Sequence, residues 1–149
     1  MHPVILAVHN ILRWVVFFAG LVAVVDAFWG WFGSRAWTQV QRRLGLIFTI
    51  SIDIQLLLGL LLYFFFSPLT RAALQNFSAA MGSPELRFFG LEHAFFMILA
   101  VVFAHLGSIL PRKAQTDRGR FKRAAIFFGL AMIVILSGMP WGRPLFPGL

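Results

Sequence analysis

Four runs of apolar residues, each close to the length that crosses a bilayer, dominate this chain: about 4–32, 44–66, 88–110 and 124–139. A bilayer's hydrocarbon core takes about 20 residues of helix. The helix is also one of only two structures that satisfy every backbone polar group inside lipid. The expected fold class is therefore all-α, a transmembrane four-helix bundle making one integral membrane domain over residues 1–149. Composition agrees, with 60% of residues hydrophobic and 12% charged, and a mean hydropathy of +0.84. The chain has no cysteine, which excludes disulfides, iron–sulfur clusters and thiolate metal sites.

The net charge of +8 does not point to nucleic acid, because the basic residues sit in the connections between the apolar runs. GSRAWTQVQRR (33–43) and PRKAQTDRGRFKR (111–123) together hold nine Lys and Arg, while the ends and the middle connection hold three and Arg13 lies inside the first span. The positive-inside rule assigns the nine to the cytoplasm, which puts both termini on the outer side. The start, MHPVILAVHN, has neither a basic n-region nor a suitable cleavage site, so the first span is read as retained. In the middle connection, 67–87, Ser-Pro and Gly-Ser-Pro mark breaks around residues 69–81, a stretch that suits a short interfacial helix with Leu74 and Phe77 dipping toward lipid. Beyond Pro140, Trp141 and Phe146 suit a membrane interface.

Ionisable residues inside a spanning helix are costly, and by default they raise a functional-site hypothesis. His9 lies five residues inside the first span and His93 five residues inside the third. Both are then roughly 7 to 8 Å below the outer edge of the hydrocarbon. Two imidazoles at one level on different helices match the ligand set of a six-coordinate haem b. Around His9, Arg13, Val16, Gly20, Ala23, Ala27 and Trp31 fall within about 40° on the helix. Around His93, Gly90, Met97, Ala100, Ala104 and Gly107 fall within about 60°. These faces are mostly small, as close helix packing or a flat cofactor requires. Arg13 and Arg87 are candidates to pair haem propionates, and Glu92 to orient an imidazole or carry a proton. A single histidine ligating a chlorophyll magnesium is a further reading. The plain alternative for His9 and His93 is two interfacial histidines bonded to backbone carbonyls or to Glu92, and for Arg13 it is snorkelling to the outer surface.

His105 follows His93 by twelve residues, which rotates it by about 120° and places it near the cytoplasmic end. With Asp26 and Asp53 it forms a candidate inner polar cluster, suited to a quinone head group or a proton route. The plainer readings are Asp26 paired with Arg35 across the turn, and Asp53 hydrogen-bonded to Thr49 or protonated. Asp53 and Gln55 point to nearly opposite sides of the second span, so only one of them can face a given partner.

The strings HNILRW (9–14), DIQLLLGLLLYF (53–64), LRFFGLEHAFFM (86–97) and MPW (139–141) resemble a group of small bacterial four-span membrane proteins labelled cytochrome b-like. The likeness covers most of the chain. It implies membrane electron transfer in a bacterial inner (plasma) membrane, with the His9 and His93 positions as the natural haem ligands. Relatives in that group often carry a histidine where this chain has Asp53, so an inner-side site that used it is altered or absent here.

The leading expectation is thus a haem-bearing electron-transfer subunit, an electron carrier and not a stand-alone enzyme, within a larger respiratory or photosynthetic complex. The alternative is an accessory subunit without a cofactor that packs against the other membrane subunits and the lipid bilayer. Transport fits less well, since neither a broken helix nor an inverted repeat is visible. No phosphate loop, serine–histidine–acid set or nucleic-acid motif occurs.

Overall fold

The structure is a computed structural model that describes residues 2–143; the Phe146 expectation lies outside the described residues. Among these residues every regular element is helical. Helix α1 is His2–Phe32 and α2 is Gln39–Leu61, the latter extended by a π turn, Leu62–Phe66. Three short helices follow: α3 (Pro68–Gln75), α4 (Phe77–Met81) and α5 (Pro84–Arg87). A second π turn, Phe88–Glu92, leads into α6 (His93–Ile109), and a 3-10 turn, Leu110–Lys113, precedes α7 (Asp117–Gly138). Four helical stretches are long and apolar enough to cross a membrane: Pro3–Phe32, Gln39–Phe66, Pro84–Lys113 and Asp117–Gly138.

These stretches are longer than the apolar runs, and the reason is local. Hydropathy marks where hydrocarbon begins, whereas a helix begins where its first amides find a cap. Thr38 starts α2 with a capping box: its Oγ1 accepts from the Val40 amide at 3.2 Å, and Gln41 Oε1 accepts from the Thr38 amide at 3.0 Å. Thr116 starts α7 by accepting from the Gly119 amide at 3.1 Å. Arg42, Arg43 and the basic residues from Arg118 to Arg123 therefore ride on helix ends and not in loops. The interfacial stretch is helical as expected but broken at Asn76, whose side chain caps α4; Leu74 and Phe77 are exposed there.

Packing runs α1–α2, α2–α6, α6–α7 and α7–α1, so α1 and α6 occupy opposite corners of the bundle. Its centre holds Val16, Ala23, Ala27, Ala100, Ala104 and Ala131 beside Phe48 and Phe128. These include the small faces predicted around His9 and His93. Lipid supplies no hydrophobic drive between helices, so small residues that admit close contact carry the packing. Gly107 shows the requirement, because any Cβ there would run into the Phe128 ring.

Candidate functional site

The two π turns lie at the same end of the bundle, flanking the α3–α5 segment, and are tied together. The Tyr63 hydroxyl donates to the Gly90 carbonyl at 2.7 Å, and the Thr70 hydroxyl donates to the Tyr63 carbonyl at 2.7 Å. A π turn bonds i to i+5 and holds its carbonyls differently from an α-helix; such turns often occur at functional sites. His93 closes the second turn, its amide donating to the Phe88 carbonyl.

From that position the His93 ring reaches across the bundle toward His9. The ring centres are 6.3 Å apart and the planes are inclined by 74°. The matching depth read from the sequence is therefore realised as direct proximity between opposite corners. His93 Nδ1 lies 2.7 Å from the Gly138 carbonyl. A carbonyl only accepts, so this contact requires the hydrogen on Nδ1 and leaves the lone pair on Nε2. Gly138 ends α7, where carbonyls lack intrahelical partners. Glu92, the expected orienting group, is instead paired with Arg87 at 2.7 Å.

His9 is held differently. Its carbonyl accepts from Gln55 Nε2 at 2.9 Å, so Gln55 faces inward and Asp53 does not. The ring lies against Gly59, where an added Cβ would stand 3.3 Å from His9 Cε1. His9 Nδ1 and Gln55 Oε1 are both buried without a hydrogen-bond partner. One turn along, Arg13 is buried; one of its terminal nitrogens donates to the Pro140 carbonyl at 3.2 Å, and its Nε has no partner. The Arg13 side chain is thus packed within protein.

Both imidazoles line one cavity of about 680 Å³, within the roughly 300–1,000 Å³ usual for small-molecule and cofactor sites. Its wall is mainly apolar, with Gln55, Gly59, Tyr63, Met97 and Val101 among the lining residues. Arg143 and Glu85 stand at its edge as an ion pair at 2.6 Å, with the Arg143 guanidinium 4.8 Å from the Phe89 ring centre. Arg13, Arg87 and Glu92 are not among the lining residues. The cationic group on the cavity wall is Arg143, which the sequence did not single out because it lies in the tail after Pro140.

Of the inner cluster the structure brings two members together and leaves one apart. His105 Nε2 is 3.4 Å from Asp53 Oδ2, while His105 Nδ1 is 2.9 Å from the Val101 carbonyl. Asp26 is bonded elsewhere, to Arg35 at 2.9 Å and to Gln41 Nε2 at 3.1 Å. Thr49 does not serve Asp53; its hydroxyl donates to the Gly45 and Leu46 carbonyls. Among the described residues no group of three or more His, Asp or Glu could hold a metal ion. Comparison with protein-family models, curated proteins and solved structures finds no match to this chain.

Proposed function

We propose that this chain is a membrane electron-transfer subunit, of the cytochrome b-like kind, that holds one haem b between His9 and His93. The observation that carries this reading is the approach of the two imidazoles, with ring centres 6.3 Å apart on the wall of a 680 Å³ cavity. His9 and His93 would hold the iron, each through one ring nitrogen. When bound, the haem supplies a one-electron iron couple whose potential responds to its ligands and to the burial around it.

The chain's own residues do the rest. The Gly138 carbonyl fixes the His93 tautomer and ring orientation and makes Nε2 the more basic nitrogen. Gln55 anchors the α1 backbone at His9, and Gly59 leaves room for its ring. The apolar cavity wall excludes water. Arg143 at the cavity edge supplies positive charge for a propionate.

Nine basic residues at one end of the spans against four elsewhere, Arg13 included, support a bacterial inner-membrane topology with both termini, and this site, on the outer side. The described residues outside the spans are short connections and the α3–α4 segment. Donor and acceptor would then come from neighbouring subunits of a respiratory or photosynthetic complex. The test is a reduced-minus-oxidised visible spectrum of the purified chain. Sharp haem b bands are expected, lost or degraded in His9→Ala and in His93→Ala. A colourless protein that copurifies with a large complex would leave the accessory-subunit reading, and a redox-silent pigment would point to chlorophyll.

A further inference from the structure

The chain beyond α7 is pinned, residue after residue, at the end of the bundle that carries the two π turns. The Gly138 carbonyl meets His93 Nδ1 on α6, and the Pro140 carbonyl accepts from Arg13 on α1. The Arg143 amide then turns back to donate to the Pro140 carbonyl at 3.2 Å. Its guanidinium reaches the second π turn and α5, lying 4.8 Å from the Phe89 ring centre and 2.6 Å from Glu85 Oε1. Pro140, Arg143, Glu85 and Phe89 all line the 680 Å³ cavity. The segment 138–143 is therefore a strap along the cavity's edge, and the Arg143–Glu85 pair is its last fastening among the described residues.

The two partners in that fastening are held unequally. Arg143 is placed by the turn at Pro140 and by the Phe89 ring. A guanidinium has five donors, yet only Nη2 of Arg143 is hydrogen-bonded among the described residues. Glu85 has no other side-chain hydrogen bond among them. Its side chain is 60% exposed against 41% for Arg143, and it sits in the first turn of the four-residue α5. An ion pair so open to water contributes little to stability. Glu85 can leave at small cost, and Arg143 stays on the rim when it does. Among the lining residues Arg143 is the one Arg or Lys and Glu85 the one acid. A guest with an acid group thus meets a single such cation, already occupied.

We infer that the Arg143–Glu85 pair is an exchangeable latch: Arg143 gives up Glu85 and takes a propionate when the cavity fills, so Glu85 competes with the ligand's own acid group. The identity of the ligand rests on the haem reading; the exchange of one carboxylate for another does not. Two features favour exchange over the closed pair. Arg143 can grip a carboxylate through two parallel N–H bonds, which is stronger than its single contact to Glu85. An acid group tethered to an apolar body already seated in the cavity is also presented at high effective concentration. Acids without such a body lack that advantage and face Glu85 on equal terms, so the latch selects amphiphilic acids.

The experiment titrates protoporphyrin IX and its dimethyl ester into the full chain in detergent, read by quenching of tryptophan fluorescence against empty micelles. Without iron, neither probe needs the histidines as ligands. The free acid should bind saturably and about ten-fold tighter than the ester, and Arg143→Gln should remove that difference. Glu85→Gln should strengthen binding of the acid by about three-fold, leave the ester unchanged, and add nothing in an Arg143→Gln background. Both side chains are exposed, so melting temperature should move little in each variant. Absence of saturable binding, an ester penalty that is missing or that survives Arg143→Gln, no gain from Glu85→Gln, or a gain that persists without Arg143 would overturn the inference. Haemin separates it from the haem reading. A chain that selects the acid porphyrin but forms no six-coordinate haem would keep the latch and lose the haem; a six-coordinate haem held equally well by wild type and Glu85→Gln would do the reverse.

Discussion

At the residue scale, His9 and His93 were legible because depth along a spanning helix can be counted, and counting placed them level. Their partners were not. The carbonyl that orients His93 belongs to the last residue of α7, and no count along one helix says where another ends beside it. Arg87 and Glu92 lay close to His93 in sequence but engage each other. Gly59 gives the sharpest test of ring placement, since a Cβ would sit 3.3 Å from His9 Cε1. On the proposed function, Gly59→Ala should retain most haem absorbance, whereas Gly59→Leu, whose longer side chain must displace the ring, should lose it several-fold in the same spectrum. Tyr63→Phe removes the 2.7 Å bond to Gly90 and leaves that carbonyl short of a donor. A loss of about 1 to 2 kcal/mol is expected, read as a lower melting temperature in detergent.

At the element scale, four spans were visible because lipid forces the chain to write them in apolar residues. Their ends were not, because caps set them. Thr38→Ala removes the hydroxyl half of the capping box and should lower stability by about 0.5 to 2 kcal/mol; thermal melting monitored by circular dichroism would measure it. Gly107→Ala places a methyl group against the buried Phe128 ring. Overpacking of this kind costs typically 1 to 3 kcal/mol. The double variant with Phe128→Leu should recover part of the loss in the same melt, and a strictly additive double variant would contradict the contact as its cause.

At the scale of the whole molecule, hydropathy could not say which helices are diagonal, because core and lipid faces are both apolar. Residue size carried that information instead, as the buried alanines of α1, α6 and α7 show. The proposed orientation is open to a direct test, since the chain has no native cysteine. In intact cells a membrane-impermeant maleimide should label Asn76→Cys and spare Gln115→Cys; the opposite pattern would invert the assignment. The π turn at Phe88–Glu92 bears on how the chain tolerates changes of length. It lets Gly90 keep step with Tyr63 while His93 keeps step with the core stripe of α6. Leu91 is exposed, so Leu91→Ala should change stability by less than about 0.5 kcal/mol. Deleting Leu91 removes the same side chain and leaves the His93 amide four residues from the Phe88 carbonyl, the spacing of an α-helix, so the flanking segments keep their phase. By melting temperature the deletion should therefore be tolerated far better than deletion of the exposed Val102 in the regular part of α6, which turns one flank by about 100° against the other: at position 91 the helix has a residue to spare.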